Sequence, residues 1–404
     1  MDPYEQAPYP AEKRQLVWFN IAFLTITPIL SAILVPWWAM TRGIEAYHIA
    51  ATIGLWILAG MGITAGYHRL FSHRAWAAPE PIRWIAAICG GAAWQGSAIR
   101  WSAGHRFHHR DVDTDTDPYD ATRGFFWSHV GWICVEGPRH NQLDNVPDLW
   151  EDRVCRFQHE HYMSLSLAFN LGVPFLLGLL VGDVAGMMLF GFLLRVVLVH
   201  HFTFFINSLA HIWGKQPYSR ANTSRDNWLI SLFTFGEGYH NYHHSFPADY
   251  RNGPRWFNFD PSKWLIWTLS KLGLANKLKR MPMETVLRRR LQEGQGAFGE
   301  WLEGLEGRLA AGCERTRELY RSAQDHVGQA TERLEASLEE LKQAHTEWQQ
   351  AREAKRSERP AKTELRNLRR AAHEATERVR VAMAEWENRL REQMAQAIPA
   401  PGAA

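Results

Sequence analysis

Four long apolar segments constrain this chain more than any other feature of its sequence. Each contains about 20 residues with few or no charges, which is the length that a helix needs to cross a bilayer. We predict spans at about residues 16–40, 46–67, 163–182 and 184–207. Because only helices and closed barrels satisfy their backbone groups in lipid, the sequence predicts an all-α integral membrane protein.

Two connections between the spans are very short, which predicts two helical hairpins. Residues 41–45 connect the first two spans, and residues 182–183 connect the last two. Lys13, Arg14 and the Arg-rich stretch 68–162 then lie on one side of the membrane, which the positive-inside rule places in the cytoplasm with both termini. No targeting or retention signal is visible, so we expect a bacterial inner membrane.

A further apolar run at residues 81–99 is rich in Gly and Ala and has Arg83 near its start. We interpret it as one helix that lies in the interface or is buried in protein, rather than as a fifth span. Together with the polar segments it would belong to a cytosolic helical domain that caps the four spans.

The C-terminal part of the chain has a different composition. Residues 300–396 contain 18 Lys and Arg and 19 Asp and Glu, and small or apolar residues recur among them at helical steps. Pro360 interrupts this pattern, so we predict two long helices, with an antiparallel hairpin as one arrangement. We divide the chain into a membrane domain (1–283) and a charged helical extension (284–404). Self-association, donor docking, a membrane-surface position and a solvated helix without a partner remain open.

Histidines give the strongest indication of chemistry. A net charge of +3 without a basic run excludes nucleic acid as a partner, and four cysteines without a CxxC pair exclude a cysteine-ligated metal. Nine histidines lie in four groups at the cytoplasmic ends of membrane elements. They are His68, His73, His105, His108, His109, His211, His240, His243 and His244.

The spacing of these histidines is typical of metal ligands. An i, i+3, i+4 arrangement places three imidazoles on one helical face, and imidazole suits zinc, copper, nickel and iron. Nine ligands exceed the needs of one ion, whereas two ions with four or five nitrogens each would use all of them. The spacing does not assign each histidine to an ion, and one structural zinc site is the alternative.

Seven other histidines lack this pattern, and we do not predict them as ligands, although the pair His200–His201 stays open. They are His48, His129, His140, His159, His161, His200 and His201.

Carboxylates near the second and fourth groups are candidates for orienting the imidazoles. Asp111, Asp113, Asp115 and Asp117 alternate after the second group, and Glu237 precedes the last. We expect some of the aspartates to contact histidines and others to be loop residues. An all-imidazole set favours O₂ activation over hydrolysis, and no flavin, nicotinamide or haem motif is visible, so electrons would come from another protein.

Three long motifs carry a family resemblance. They are GYHRLFSHR at 66–74, RGFFWSHVGW at 123–132 and GEGYHNYHHSFP at 236–247. Together they resemble the membrane fatty acyl desaturases of the stearoyl-CoA Δ9 type, and the resemblance covers roughly residues 15–290.

This resemblance implies a function and a set of site residues. The implied activity is the O₂-dependent introduction of a cis double bond, Δ9 in position, into a saturated acyl chain. It implies two ferrous ions held by the nine histidines, with Asn207 acting through a water molecule. It also implies an external donor such as a ferredoxin, a rubredoxin or a cytochrome b5-type protein. The family's bent acyl tunnel implies substrate contacts at Gln95, Trp101 and Thr203 near its bend, and at Trp56 and Gly60 toward its closed end.

The chain departs from the family where the acyl-CoA members bind their headgroup. An Arg-Asp pair of those members is replaced by Ala103 and Gly104, and an Asn by Gly96. The acyl chain could therefore be carried by CoA, a carrier protein or a membrane lipid. Other cations that could contact a phosphate are Arg106, Arg110 and Arg123.

Two rival functions remain at this point. A hydroxylase on the same scaffold would share the ligands, because desaturation and hydroxylation differ in the fate of one substrate radical. A non-catalytic membrane protein could keep the metal for structure and act through its tail.

Overall fold

The computed structural model describes residues 15–136, 142–309, 314–354 and 361–396. Within these ranges the chain is helical, and its β-pairing is confined to isolated bridges. The chain divides into two compact units. The first comprises Met1–Gln216 and Arg220–Arg280, and the second comprises Pro217–Ser219 and Met281–Ala404.

The helices of the first unit are α1 Trp18–Thr41, α2 Ala46–Ser72, α3 Glu80–Gly91, α4 Ala98–Asp111, α5 Phe125–His129, α6 Pro147–Glu151, α7 Arg153–Glu160, α8 Tyr162–Val181, α9 Val184–Ile212, α10 Trp228–Phe233, α11 His240–Ser245 and α12 Pro261–Lys271. Short 3₁₀ turns lie at Ala121–Arg123 and Gly131–Cys134. The second unit contains α13 Met283–Leu309, α14 Glu314–Glu353 and α15 Lys362–Gln396.

Four helices, α1, α2, α8 and α9, are long and apolar enough to cross a membrane. This confirms the all-α membrane fold expected from the sequence. Two spans run further than their apolar stretches, since α2 ends at Ser72 and α9 at Ile212. The extra turns can contain polar residues because other parts of the protein cover them. Arg69 and His211 are both buried.

π-Helical segments interrupt three of these spans. They lie at Gly62–Ser72, Ala168–Gly172 and Met188–Leu194. A π-turn closes i to i+5 hydrogen bonds instead of i to i+4, so it changes which side chains share a face of the helix.

The apolar run 81–99 is not one helix, which corrects the sequence-based expectation. α3 ends at Gly91, and α4 begins at Ala98, where the Ser97 side chain caps the new helix by accepting a hydrogen bond from the Arg100 amide. Trp94 (φ 56°) and Gly96 (φ 99°) adopt left-handed backbone conformations that a helix cannot contain. The run is therefore a helix, a turn and the start of a second helix.

The second unit has three described helices where the sequence suggested two, because its first predicted helix is divided between α13 and α14. Leu334, Leu338 and Leu341 of α14 pack with Leu287 and Leu291 of α13. α14 also packs along α15. The ion pairs Arg333–Glu385 and Arg378–Glu340 show that these two helices are antiparallel.

Candidate metal centre

The π-helical end of α2 places its two histidines together. His68 lies in the segment Gly62–Ser72, and His73 follows it directly. The His73 amide donates a 3.0 Å hydrogen bond to the His68 carbonyl, which is the i to i+5 contact of a π-turn. An i, i+5 pair would diverge on an α-helix, so the altered winding explains how both imidazoles can face one site.

Two further helices present the HxxHH groups. α4 carries the second group, α11 carries the last, and His211 lies on the final turn of α9. α11 has six residues, so it consists of little more than the turn and a half that the three imidazoles require.

All nine histidines converge, and they separate into two groups. Within each group the ligand atoms lie within 4.8 Å of one another. The first group is His68, His73, His105, His109 and His243. The second group is His108, His211, His240 and His244. Each HxxHH motif is thus divided: the i, i+4 pair of one motif joins the i+3 histidine of the other. Sequence spacing alone could not give this division.

The Nε2 atoms are spaced as metal ligands are. In the first group, His73 and His105 are 2.8 Å apart and His68 and His243 are 2.9 Å apart. In the second group, the His240 atom lies 3.1 Å from those of both His211 and His244. Two nitrogens that bind one ion at right angles, each at about 2.1 Å, are about 3.0 Å apart. Both groups therefore fit a metal ion.

The environment favours the neutral form of several of the nine histidines that lie outside the membrane spans. Burial in the first place, and neighbouring imidazoles in the second, place their pKa well below the ordinary value; this holds for His105, His109, His240, His243 and His244. A neutral imidazole keeps a lone pair for a metal, so the environment favours the ligating form.

The outer nitrogens of three histidines have polar partners that fix their ring orientation. His68 Nδ1 lies 2.9 Å from Glu237 Oε2, and His108 Nδ1 lies 2.9 Å from Asp117 Oδ1. His211 Nδ1 lies 2.8 Å from the Thr223 hydroxyl, which donates to Asp113 at 2.7 Å. Such partners set which nitrogen faces the metal.

Of the four alternating aspartates, Asp117 therefore contacts a histidine and Asp113 acts through Thr223. Asp111 forms an ion pair with Arg110, and Asp115 lines the cavity described below.

A buried ionic network holds Glu237, and sequence reasoning missed its other members. Arg69 donates to Glu237 at 2.9 Å and lies 2.9 Å from Asp260, and Asn252 donates to the second oxygen of Glu237. All these side chains are buried. A charged residue directly after a ligand histidine was the available signal, since a buried arginine needs carboxylates near it.

A cavity of about 580 Å³ opens beside both histidine groups. His68 and His105 of the first group and His108 and His240 of the second contribute to its wall. The residues implied at the tunnel bend, Gln95, Trp101 and Thr203, line it as well, as does Asn207.

Trp101 connects this wall to a histidine. Its ring stacks on His105 with centroids 4.9 Å apart, and its Nε1 donates to Gln95 Oε1 at 3.4 Å.

Trp56 and Gly60 are not among the residues that line this cavity. Both contact the ring of Phe235: the Trp56 and Phe235 centroids are 4.8 Å apart, and a Cβ on Gly60 would lie 2.1 Å from Phe235 Cε2. Ile63 and Thr64, one turn further along α2, do line it. The structure thus places an aromatic ring against the two residues implied at a closed end.

The three candidate phosphate-binding arginines differ in their contacts. Arg106 makes a two-pronged contact with Asp148 at 2.7 and 2.9 Å and also donates to backbone carbonyls, so its guanidinium is already engaged. Arg110 pairs with Asp111, whereas Arg123 lies over the Trp127 ring and lines the cavity. Gly96 and Gly104 also line the cavity, where larger polar side chains would occupy its volume.

The remaining histidines have other contacts. His48 pairs with Asp183, His129 with His201 and Ser208, His159 with Ser97, His161 with the Phe157 carbonyl and His200 with the Ala93 carbonyl; His140 lies outside the described residues. The six described histidines of this set belong to neither group of converging imidazoles.

Four apolar spans and two clusters of converging imidazoles define an integral membrane protein with a histidine-rich centre. The fatty acid desaturase family model matches residues 42–261, and the chain belongs to this family.

Known relatives agree with this assignment. A probable acyl-CoA desaturase of Schizosaccharomyces pombe is 39% identical over 290 residues, which are 71% of this chain and 60% of that protein. Stearoyl-CoA desaturase 5 of Bos taurus is 35% identical, covering 70% of this chain and 86% of the relative. The sn-1 stearoyl-lipid 9-desaturase of Anabaena variabilis is 36% identical, covering 55% and 80%. The chain spans 55% of acyl-CoA desaturase 1 of Saccharomyces cerevisiae.

Proposed function

We propose that this protein is an O₂-dependent fatty acyl desaturase that introduces a cis double bond, at the Δ9 position, into a saturated acyl chain. The observation that carries the proposal is the cavity whose wall includes histidines of both groups. Relatives described as acyl-CoA and stearoyl-lipid desaturases support the same chemistry. The balanced reaction consumes one O₂, two electrons and two protons, and it yields an alkene and two water molecules.

Two ferrous ions are the proposed cofactor. His68, His73, His105, His109 and His243 would hold one ion, and His108, His211, His240 and His244 would hold the other with Asn207 acting through water. When bound, the ions supply the O₂ reduction that drives removal of hydrogen from two adjacent methylenes. The histidines act as ligands rather than as acids or bases, in agreement with the depressed pKa values of His105 and His240.

The chain's own residues orient the ligands and the substrate. Glu237, Asp117 and Thr223 fix the rings of His68, His108 and His211 through their outer nitrogens. Gln95, Trp101 and Thr203 would present one pair of methylenes to the centre, which is catalysis by orientation. The mainly apolar wall would exclude water from the reacting carbons.

The proposed acyl carrier is CoA or a membrane lipid, and the names of relatives support both. Relatives of both kinds are known, while Arg106 is engaged by Asp148 and the headgroup positions hold Ala103 and Gly104. Electrons would come from an external donor such as a ferredoxin, a rubredoxin or a cytochrome b5-type protein.

The proposed location is a bacterial inner membrane, with both termini and the histidine centre facing the cytoplasm. Residues 1–283 would form the desaturase domain and residues 284–404 the extension. The four apolar helices support membrane insertion, and the Arg-rich segments between them support this orientation.

A fatty-acid profile tests the proposal. Cells that express the full chain with a suitable donor are compared with cells that express His243→Ala, using gas chromatography–mass spectrometry with double-bond localisation. We expect cis monoenes, with the double bond at carbon 9, in the first sample alone. Hydroxylated chains would identify the hydroxylase instead, and an unchanged profile with every donor class would favour the non-catalytic alternative.

A further inference from the structure

A buried arginine lies inside the fourth membrane span and has no place in the metal chemistry. Arg195 of α9 is fully buried, and its guanidinium donates to Asn170 Oδ1 at 2.6 Å, to the Ala92 carbonyl at 2.8 Å and to the Gly191 carbonyl at 3.1 Å. Among the described residues, none of these hydrogen-bond partners is a carboxylate. A cation at membrane depth costs free energy, so the presence of Arg195 there points to a function.

The arginine is one of three donors on consecutive backbone carbonyls. Ser166 of α8 donates to the Gly91 carbonyl at 3.1 Å, Arg195 to that of Ala92, and His200 Nε2 lies 2.9 Å from the Ala93 carbonyl. These carbonyls terminate α3, where a helix leaves its last acceptors without partners inside the helix. A cation there also interacts favourably with the negative end of the helix dipole.

A fourth contact holds the far side of the same turn, because the Gly96 amide donates to the Tyr162 hydroxyl at 3.0 Å. Side chains of α8 and α9 therefore support residues 91–96 at four points. Asn170 joins the two spans, since its Oδ1 accepts from Arg195 and its Nδ2 donates to the Ser166 carbonyl.

The supported turn is strained and lines the cavity. Trp94 has φ 56°, a conformation that a bulky L-residue keeps only where its surroundings enforce it. Trp94, Gln95 and Gly96 all belong to the cavity wall. Gln95 accepts from Trp101, whose ring stacks on His105, so the turn is linked through two side chains to a proposed metal ligand.

We propose that Arg195 is a positioning residue that fixes the Trp94–Gln95 wall and thereby selects which methylene pair is oxidised. This inference rests on the proposed desaturase function. Without the guanidinium, the Ala92 carbonyl loses its donor, the strained turn relaxes, and the acyl chain can settle in more than one register against the histidines. A displacement of about 1 Å is enough to lower a rate by up to roughly 100-fold.

The test compares Arg195→Met with Arg195→Lys and with His48→Leu in the full chain. His48 pairs with Asp183 at 2.8 Å and is buried in the same membrane domain, but it lies 20 residues before His68 on α2, about 30 Å along the axis. Its replacement is therefore a matched loss of a buried polar contact away from the cavity. Product position, turnover, iron per chain and hydrogen–deuterium exchange of the peptide containing residues 91–96 are measured.

We expect Arg195→Met to keep its iron, to make monoenes at two or more positions and to lose roughly 10-fold in turnover. Exchange at residues 91–96 should rise. Arg195→Lys should restore part of the selectivity, and His48→Leu should leave position and local exchange unchanged. One product position and unchanged local exchange in Arg195→Met would overturn the inference.

If Arg195→Met does not fold, Arg195→Lys and Ser166→Ala decide the matter by the same readouts, and wild-type behaviour in both contradicts the inference. An inactive wild type would refute the desaturase proposal, whereas the exchange comparison would still test the support of the turn.

Discussion

The two units of this chain both have apolar cores, but they differ in the polar side chains that they bury. The first buries imidazoles, the Arg69–Glu237–Asp260 network and the lone Arg195. The core of the second is built from leucine, alanine and valine with Trp386, whose Nε1 donates to Thr331 at 2.9 Å. Burial of polar groups costs free energy unless each finds a partner, whereas apolar burial stabilises without such conditions.

This difference shows what organises each unit. In the first unit the Arg69–Glu237–Asp260 network leads to His68 and the Arg195 contacts lead to the cavity wall, so chemistry explains the presence of these two sets. In the second unit the regular apolar pattern explains the fold by itself. Substitutions within these two sets should therefore change metal content or products, and substitutions in the second unit should change stability alone.

The largest effect should follow His243→Ala. His243 Nε2 lies 2.9 Å from that of His68 and 2.8 Å from that of His109, so its loss would remove a proposed ligand from the centre of the first group. We expect monoenes to fall below detection and iron per chain to drop, as measured by mass spectrometry of lipids and metal. Normal iron with normal monoenes would remove His243 from the site.

Glu237→Gln should have the next largest effect. It keeps the shape of the side chain but removes the charge that faces His68 Nδ1 and Arg69. Changes of this kind typically cost 10- to 100-fold in metal affinity or activity. Iron affinity and turnover are the readouts, with Glu340→Gln on the exposed surface of α14 as the control. Equal behaviour of the two variants would contradict an orienting role.

Leu334→Ala should lower the stability of the second unit without changing the reaction in the first. Leu334 is fully buried in the core of the second unit, and such a change costs about 2–5 kcal/mol. We expect faster proteolysis within α13–α15, with turnover per iron unchanged. A large loss of turnover would mean that the second unit contributes to the reaction.

Trp56→Ala tests the implied closed end of the tunnel. Trp56 packs on Phe235 and Phe202, and removal of the indole would open space beyond Ile63 and Thr64. Products should shift to longer chains at the same double-bond position. An unchanged chain-length profile would assign Trp56 to packing alone.

The smallest effect should follow Arg378→Ala. Both side chains of its ion pair with Glu340 are exposed. Such pairs contribute about 0–1 kcal/mol to the free energy of unfolding, and less at high salt. Thermal unfolding should barely change, and products should not change at all. A drop as large as that of Leu334→Ala would show that charge, rather than apolar burial, holds the second unit.

The sequence predicted the elements that depend on long or repeated patterns. Twenty-residue apolar stretches predicted the four spans, and the spacing and position of four histidine groups singled out the nine histidines that converge. It could not give the division of each motif between two groups, because this depends on how α4 and α11 face one another. The break after Gly91 was missed because the run is mainly apolar, although glycine disfavours a helix interior. The side chains that favour the turn come from α8 and α9.

Metal analysis of the purified full-length protein from iron-replete cells tests the central claim most directly. Two groups of imidazoles at ligand spacing predict two ions per chain, and the proposed desaturase function requires iron with little zinc. Variants of either group should lose metal in proportion. Zinc in place of iron, or a single ion per chain that persists when His240 and His244 are both replaced by alanine, would contradict a di-iron centre.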